Sequence, residues 1–303
     1  MYIGIDAGGT KTDVCICGPT GSIIARSITA GVNAARSGPE NAARYIAAKL
    51  ESLQANGFRL YAGVAGAGSP ELSAALTAAL HAQLPYIKHI TVASDAFNAL
   101  NGEIGLGDGI ALIAGTGSSA FVRINGTARQ VGGRGYLIDD AGSGYWTGRE
   151  CLNAAYRAID GRGPATSLTD AIEEFIGVPL ADAIPRIYEG GSAYVASFAP
   201  LVFAHAENGD PVAKRIAENC AAELTLHLKA CISGTDTPPR ICVASGGMFR
   251  AEYLRNKLAE SARDMGIKII FPSTPPVCGA VVAAAGSAAD TDFIKTLKNE
   301  LRG

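Results

Sequence analysis

The fold is indicated by residues 3–28, which contain in order the segments IGID, AGGTKT, DVCIC, GPTG and SIIARS. The apolar segments predict three strands, and the segments between them predict tight turns. Residues 109–132 repeat this pattern as GIALIA, GTGSS, AFVRI, NG and TARQVG, in which Asn125-Gly126 is typical of a hairpin turn. The chain therefore contains two copies of a three-strand unit.

Each copy is followed by alternating helical and strand segments, which predicts an α/β protein. The first half contains predicted helices 39–56 and 70–83, with Ser69 as an N-cap, and predicted strands 60–65 and 89–94. The second half contains predicted helices at 143–159, across 167–233 and at 250–265, and Asp210-Pro211 predicts a helix start within the long stretch. Its predicted strands are 240–244 and 267–271, and two helices close the chain. A glycine-rich stretch predicts a domain boundary near Glu103–Gly109. We expect the two halves to form a cleft in which both glycine-rich turns face one ligand.

Composition excludes several classes of partner. Hydrophobic residues make up 48% of the 303 residues, which is typical of a globular protein. The net charge of −2 provides no basic surface, so we expect no nucleic-acid partner. The longest apolar run, at 277–285, is too short to cross a bilayer, and we expect no membrane partner. Seven irregularly spaced cysteines and a start that reads directly as a strand predict reduced thiols and a cytoplasmic enzyme.

The first glycine-rich turn, residues 7–12, is a candidate phosphate site. Gly8 and Gly9 would allow a close approach of the backbone and positive φ angles. Backbone N–H groups in such a turn, with the Thr10 hydroxyl, can cradle phosphate oxygens. Asp6, at the end of the preceding strand, could hold Mg²⁺ through water. A plain hairpin with a polar tip explains the same residues equally well.

The second turn, Ala114-Gly115-Thr116-Gly117-Ser118-Ser119-Ala120, also matches the dinucleotide fingerprint G-x-G-x-x-A. That interpretation needs a helix after the turn and an acid at the end of a second strand. The residues that follow, 121–124, alternate and enter a hairpin instead. A P-loop is excluded because the chain contains no Gly-Lys dipeptide.

Asp95 is the candidate general base. It follows the predicted strand 89–94 in the segment VASDAFN, where it would enter a helix. A carboxylate there either caps the helix or accepts a hydroxyl proton during phosphoryl transfer. Asn33 is a candidate polar contact, for which an ordinary turn residue is the alternative.

Two further loops complete the candidate site. Residues 132–146, GGRGYLIDDAGSGYW, contain the adjacent carboxylates Asp139 and Asp140. Neighbouring carboxylates repel each other, and an aspartate accepts bonds from two adjacent hydroxyls, so this loop suits a polyhydroxylated ligand. The segment ASGGM, ending at Met248, could admit a base or ribose against bare backbone. The four scattered histidines and the alternating Cys15 and Cys17 predict neither a triad nor a metal site.

Taken together, these segments resemble sugar kinases of the actin-like (hexokinase/Hsp70) ATPase superfamily, and most specifically the N-acetylglucosamine kinase-like branch of the BadF/BadG-type ATPase family. The most specific match is GGRGYLIDDAGSGYWTGRE, which is similar to the family pattern GGWGxxxGDEGSGYWIGR. The resemblance implies two ribonuclease-H-like actin-fold domains flanking an active-site cleft, residues 1–106 completed by 290–303 and residues 107–289. It implies ATP and Mg²⁺ as cofactors, an amino sugar as substrate, phosphorylation at the 6-hydroxyl and a homodimer.

By the same resemblance, Asp95 is the catalytic base and contacts the sugar. The implied ATP contacts are Gly8, Gly9, Thr10, Lys11, Gly115, Thr116, Gly117, Gly246, Gly247 and Met248. The implied sugar contacts are Asn33, Ser118, Gly133, Arg134, Gly135, Tyr136, Leu137 and Asp140.

Three departures from the family pattern lie beside the implied sugar site. Arg134 replaces a Trp, Asp139 replaces a Gly and Ala141 replaces a Glu. Asp139 facing the sugar would favour glucosamine, and Arg134 facing it would favour an acidic sugar such as a muramic acid. If the two side chains pair with each other, which we expect, N-acetylglucosamine remains the acceptor. The alternative function is an ATPase activator of 2-hydroxyacyl-CoA dehydratases, which shares an iron–sulfur cluster across a dimer. The absence of a cysteine between Cys17 and Cys151 weakens it.

Overall fold

The computed structural model describes residues 1–53 and 59–302 of the chain. These residues form two compact units, Met1–Ala111 with Pro272–Gly303, and Leu112–Phe271. The division differs from the domains predicted from the sequence. The boundary follows Ala111, and residues 272–289, which the sequence places in the second domain, belong to the first unit.

The first unit is built on a five-stranded sheet of order β3-β2-β1-β4-β5. Its strands are β1 Tyr2–Ala7, β2 Lys11–Cys17, β3 Ile23–Ala30, β4 Arg59–Val64 and β5 His89–Ala93. The first three strands are antiparallel, with Asp6 opposite Asp13, whereas β4 and β5 run parallel to β1. The carboxyl ends of β1, β4 and β5 therefore lie at one edge, where ligands of such sheets commonly bind.

The second sheet repeats the first. Its strands are β6 Gly109–Ala114, β7 Ser118–Ile124, β8 Thr127–Val131, β9 Ile241–Ser245 and β10 Lys268–Ile270. The order β8-β7-β6-β9-β10 matches that of the first sheet strand for strand. As in the first sheet, the second and third strands pair antiparallel and the last two pair parallel. The predicted internal repeat and the α/β class are confirmed.

Helices cover the first sheet. They are α1 Ala34–Ser37, α2 Pro39–Ser52, α3 Pro70–Gln83, α4 Ala96–Ile104, α11 Val277–Ala285 and α12 Thr291–Arg302. A large core of buried Ile, Leu, Val and Ala side chains lies on the face that carries α2 and α3. Ser69 caps α3 by accepting a bond from the Leu72 N–H (3.2 Å), as predicted. The predicted end of α2 at Asn56–Gly57 lies outside the described residues.

Helix α11 explains the changed domain division. It packs directly on β1, because a Cβ atom at Gly4 would lie 2.4 Å from the Val281 backbone nitrogen. It also packs on α4, where a Cβ at Gly279 would overlap the Asn98 carbonyl oxygen. The closing helices thus form a second cluster of buried residues in this unit, in which α11 and α12 pack with Cys15 and Cys17 of β2. This packing between distant parts of the chain leaves no local signal in the sequence.

The second unit is rich in helices. They are α5 Gly144–Ile159, α6 Leu168–Ile176, α7 Leu180–Ala196, α8 Ala199–Glu207, α9 Pro211–Ile232 and α10 Glu252–Asp264, with a short 3₁₀ turn Gly247–Arg250. The predicted helical stretch 167–233 is thus four helices, and Asp210 caps α9 as predicted. None of the described helices is long and apolar enough to span a membrane.

Candidate functional site

Asp6 is a buried carboxylate of the candidate site. It lies near the end of β1 and is 8% exposed. Burial raises the pKa of its carboxyl to about 6, and the charges of Asp95 and Asp13 add to this effect, whereas Lys11 opposes it. Asp13 is neutralised by a two-point ion pair with Arg26, at 3.0 and 2.8 Å. Asp6 therefore carries a negative charge, at neutral pH, that nearby cations only partly compensate.

Asn98 holds Asp6 in place. Its side-chain amide donates to Asp6 Oδ1 at 2.7 Å and to the Ile5 carbonyl at 3.3 Å. The Asn98 side chain occupies space above β4 that a Cβ atom at Gly63 would fill, at 2.3 Å. Its own Oδ1 is buried and has no hydrogen-bond partner among the described residues. Sequence reasoning missed this residue, although a polar side chain within the apolar helix SDAFNAL was a usable signal.

Asp95 lies between β5 and α4, as predicted, but it does not cap the helix through its side chain. Its backbone is already helical, at φ −56° and ψ −25°, and in the described part of the chain no capping bond to the next turn is formed. Ser94 Oγ accepts the Ala96 N–H at 3.3 Å instead. Burial raises the pKa of the Asp95 carboxyl, and hydrogen bonds from Ala96 and Ser94 oppose the rise. The hydrogen bonds of this carboxylate to Ser94 and Ala96 are local and leave acceptor capacity for a ligand.

The first turn presents backbone donors next to Asp95. A Cβ atom at Gly8 would lie 3.9 Å from Asp95 Oδ2. Within the described residues the N–H groups of Gly9 and Thr10 have no backbone acceptor, and Gly9, Thr10 and Lys11 are exposed. The expectation of positive φ at Gly8 and Gly9 is wrong: neither angle is positive. Close packing does not require glycine at Gly9 either, because a Cβ there would meet no described atom within 4 Å. The close contact of this turn is at Gly31, where a Cβ would lie 2.4 Å from the Gly9 carbonyl carbon.

Asn33 lies near this turn, but the oxygen of its side chain already accepts two hydrogen bonds. Its Oδ1 caps α1 by accepting the N–H groups of Ala35 and Arg36, at 3.0 and 3.2 Å. Only the amide NH₂ group of Asn33 remains to contact a ligand. The alternative interpretation of Asn33, an ordinary turn residue, therefore explains the role of its side-chain oxygen.

The second turn has the same design in the second unit. Gly115 N–H donates to the Gly117 carbonyl at 2.8 Å, and among the residues that the structure describes the N–H groups of Thr116 and Gly117 have no backbone acceptor. A Cβ at Gly115 would meet nothing within 4 Å in this part of the chain. A Cβ at Gly117 would lie 2.6 Å from Asp140 Oδ2. The candidate phosphate turn and the candidate sugar loop therefore meet at Gly117.

Asp140 is held in an uncommon backbone conformation. Its φ of 61° lies in the left-handed region, which non-glycine residues rarely adopt. The carboxylate is 8% exposed and accepts the Gly135 N–H at 3.2 Å. Burial raises its pKa, and the charge of Asp139 raises it further. Such a strained, buried carboxylate next to a glycine turn is typical of a ligand site.

The remaining loop residues are more exposed. Tyr136 packs edge-on against Tyr145 at 4.8 Å between ring centres, Leu137 is 81% exposed, and Gly133 sits over Ser119. Ser118 Oγ donates to the Ala141 carbonyl at 2.8 Å.

The expected side-chain pair between Arg134 and Asp139 is wrong. Asp139 Oδ2 accepts the backbone N–H of Arg134 at 3.3 Å, and the Arg134 guanidinium forms no ion pair within the described residues. The loop therefore places the backbone N–H of Arg134, rather than its guanidinium group, against the Asp139 carboxylate.

The segment Gly246–Met248 lies against the start of the second turn. Gly246 has φ 118°, and a Cβ there would overlap the Ala114 carbonyl oxygen, so only glycine fits. Met248 is buried with its sulfur 3.4 Å from the Cβ position of Gly144. The structure thus brings three sequence motifs of the second unit together: residues 114–118, 140–144 and 246–248.

Magnesium fits the carboxylates of the first unit. Mg²⁺ is usually held by one or two carboxylates, with waters and substrate phosphates as the other ligands. Asp6 supplies one buried carboxylate whose raised pKa shows that its charge is incompletely compensated, and Asp95 lies close enough to raise it. The described residues contain no group of three or more His, Cys, Asp or Glu side chains suited to a metal. Asp6 would therefore bind the ion with waters and substrate phosphates as the other ligands, and not as part of a site made of protein ligands alone.

Comparison with known proteins identifies the relatives of this arrangement. The family model described as BadF/BadG/BcrA/BcrD ATPase family matches residues 3–284. An N-acetylmuramic acid/N-acetylglucosamine kinase from Clostridium acetobutylicum is 30% identical over 298 residues, which cover 93% of this chain and 97% of that protein. A glucosamine kinase from Vibrio cholerae is 30% identical over 243 residues, covering 76% of this chain and 79% of that protein.

A solved structure has the same fold. The crystal structure of a candidate N-acetylglucosamine kinase from Chromobacterium violaceum superposes with a TM-score of 0.70 at 24% identity, and the match covers 93% of this chain and 98% of that one. The two repeated five-stranded sheets are thus those of the two-domain actin-like sugar kinases.

Proposed function

The chain belongs to the BadF/BadG/BcrA/BcrD ATPase family, and from that premise we propose that it is an ATP-dependent kinase that phosphorylates an amino sugar. Curated relatives that match most of the chain are kinases of N-acetylglucosamine, N-acetylmuramic acid or glucosamine. ATP is the phosphoryl donor.

One observation carries the assignment of Asp95 as the base. The carboxylate occupies a helix N-cap position, yet it makes no side-chain capping bond to a described residue and its pKa is raised by burial. A base must be ionised at the working pH and must bind a proton well in the transition state, so a raised pKa suits this role. Asp95 accepts the proton of the acceptor hydroxyl, which by family resemblance is the 6-hydroxyl.

The two turns position the phosphates of ATP. Donors from Gly9 and Thr10 in the first unit, and from Thr116 and Gly117 in the second, face no backbone acceptor in the described chain. Free N–H groups arranged in such turns bind anions. Lys11 adds a positive charge to the first turn. Gly246, Gly247 and Met248 receive the nucleoside, with bare backbone at Gly247, where a Cβ would meet no described atom within 4 Å.

Asp6 binds Mg²⁺ and Asn98 orients Asp6. The ion, when bound, neutralises charge on the phosphates and polarises them towards attack. The Asn98 amide keeps Asp6 Oδ1 at a fixed position, so the chain pre-sets the direction in which this carboxylate faces.

Asp140 binds hydroxyls of the sugar, with Gly133, Gly135, Tyr136 and Leu137 around it. N-acetylglucosamine and glucosamine are the proposed acceptors. Because Arg134 makes no ion pair with the described residues, its charge is available to an acidic acceptor, and this observation favours N-acetylmuramic acid as a further one. We also propose that the protein is a homodimer.

The structure gives less support to the alternative, an ATPase activator that shares an iron–sulfur cluster. All seven cysteines are buried. Burial raises the pKa of the Cys15 and Cys17 thiols to about 12, so neither is presented as a thiolate. Cluster ligands must be thiolates that a partner subunit can reach.

A panel of acceptors tests the proposed function. ADP release from ATP and Mg²⁺ is measured with glucosamine, N-acetylglucosamine, N-acetylmuramic acid and glucose, in the wild type and in Arg134→Trp. We expect turnover with the amino sugars. Arg134→Trp should lower kcat/KM for N-acetylmuramic acid by about tenfold relative to N-acetylglucosamine, since a charge-assisted bond is lost. If none of the amino sugars supports ADP release, the proposed kinase function is refuted. If the ratio of kcat/KM for N-acetylmuramic acid to that for N-acetylglucosamine is the same in Arg134→Trp as in the wild type, Arg134 does not select the acceptor.

A further inference from the structure

A cavity of about 330 Å³ lies on the second unit, and of the residues that line it only Trp146, the last residue of the loop 132–146, belongs to the candidate site. One wall is a face of α5, where Trp146, Glu150, Asn153 and Arg157 follow each other at helical spacing. The opposite wall is a face of α9 that contains Val212, Arg215, Ile216 and Asn219. Residues 162–164 close one end.

The floor of the cavity is apolar. Val212 and Ile216 are 4% and 5% exposed, and the half-buried indole of Trp146 forms a flat wall beside them. A planar aromatic surface of this kind packs against the apolar C–H face of a sugar ring as well as against another ring. The cavity volume lies at the lower end of the range of small-ligand pockets, roughly 300–1,000 Å³.

The rim has an excess of positive charge. Glu150 is paired with Arg149 at 2.9 Å, and Arg162 is paired with Asp160. Arg157 and Arg215, by contrast, have no ion pair or side-chain hydrogen bond with any described residue. Both exposed arginines line the cavity, and the carboxylate that lines it with them, Glu150, is already paired with Arg149.

The rim is also fixed in place. The N–H groups of Arg162 and Gly163 both donate to the Arg157 carbonyl, at 2.8 and 2.9 Å. Gly163 packs against the Arg157 side chain, where a Cβ would lie 3.1 Å from the Arg157 Cβ. The loop therefore fixes the Arg157 backbone and packs against the first atoms of its side chain.

This combination matches one ligand chemistry. Guanidinium groups bind phosphate oxygens through paired hydrogen bonds. The side-chain amides of Asn153 and Asn219, which can both donate and accept, suit sugar hydroxyls. We propose that this cavity is a second ligand site, separate from the candidate active site, which binds a phosphorylated monosaccharide as an effector. Only the choice of an amino-sugar phosphate, the class of the reaction product, rests on the proposed function.

The single tryptophan of the chain reports on the cavity directly, because Trp146 forms its wall. Emission is recorded while the intact protein is titrated with N-acetylglucosamine 6-phosphate, N-acetylglucosamine, inorganic phosphate or ATP. The variants are Arg157→Gln and Arg215→Gln. Lys214→Gln is the matched control, since Lys214 is the exposed neighbour of Arg215 on α9 and does not line the cavity.

We expect a saturable change in emission with the sugar phosphate, a weaker one with inorganic phosphate and none with the unphosphorylated sugar. Each arginine variant should weaken sugar-phosphate binding by about tenfold or more, with Lys214→Gln equal to the wild type and kcat without effector unchanged in all three. A response that is absent, undiminished in both arginine variants, or as strong with ATP would overturn the proposal. If the acceptor panel fails while this titration succeeds, the proposed function is wrong and the cavity site stands.

Discussion

Replacing Asp6 by Asn should stabilise the protein while it abolishes the kinase reaction. Asp6 is ionised at neutral pH in a buried setting that opposes ionisation, as its pKa of about 6 shows. Asn has nearly the same shape, and its oxygen can still accept the Asn98 amide bond of 2.7 Å. The substitution therefore removes a buried charge and keeps the local packing.

The size of the effect follows from the two pKa values. The unfolded value is 3.8 and the folded value about 6, and at 1.36 kcal/mol per pH unit the ionised carboxylate costs the folded state ~3 kcal/mol at high pH. Because the folded pKa of an acid is raised, this cost is absent below about pH 4, grows between the two pKa values, and is complete above the folded one. The gain from Asp6→Asn should be ~1.5 kcal/mol at pH 5 and ~3 kcal/mol at pH 8.

The measurement is the free energy of unfolding in urea at both pH values, for the wild type, Asp6→Asn and Asp292→Asn. Asp292 is an exposed aspartate of the same unit and serves as the control for loss of a negative charge. Mg²⁺ with ATP should then stabilise the wild type and not Asp6→Asn. A variant that is less stable than the wild type at pH 8, or a difference that does not change with pH, would refute the reasoning.

Two further predictions concern the geometry of the site. Gly115→Ala, whose Cβ meets no described atom within 4 Å, should fold normally and raise the KM for ATP alone. Gly117→Ala, whose Cβ would lie 2.6 Å from Asp140 Oδ2, should raise the KM for ATP and the KM for the sugar together. Steady-state kinetics with each substrate varied in turn distinguishes the two variants, and equal behaviour would contradict the placement of Asp140. Asn98→Ala removes a hydrogen bond that favours ionised Asp6, so the acidic limb of the pH–rate profile should move to higher pH. If the profile keeps its position while overall activity falls, Asn98 is a purely structural residue.

The sequence was sufficient where the signal is local. Alternating apolar residues and glycine turns located the strands of both repeats within three residues at each end. Ser69 and Asp210 were recognised as caps because capping depends on neighbours in sequence. The placement of residues 272–289 could not be predicted, because it depends on glycine contacts between Gly4 and α11, which lie far apart along the chain.

The candidate site was predicted in its residue types and less well in its geometry. The left-handed backbone of Asp140 and the helical backbone of Asp95 arise from tertiary packing, so no residue pattern indicates them. Gly8 and Gly9 have no positive φ, and a Cβ at either position would meet no described atom closer than 3.5 Å, so neither the backbone angle nor crowding within this unit explains these glycines. Asn98 was missed because its partner Asp6 is 92 positions away.

The central claim is that Asp95 accepts the proton of the acceptor hydroxyl, and kcat of Asp95→Asn tests it most directly. ADP release is measured at saturating ATP, Mg²⁺ and amino sugar, with Asp292→Asn as control and with ATP binding measured separately. The account predicts that Asp95→Asn keeps its fold and its affinity for ATP and loses about 10²–10⁴-fold in kcat, the usual contribution of a general base. A kcat within a few-fold of the wild type would show that Asp95 is not the base.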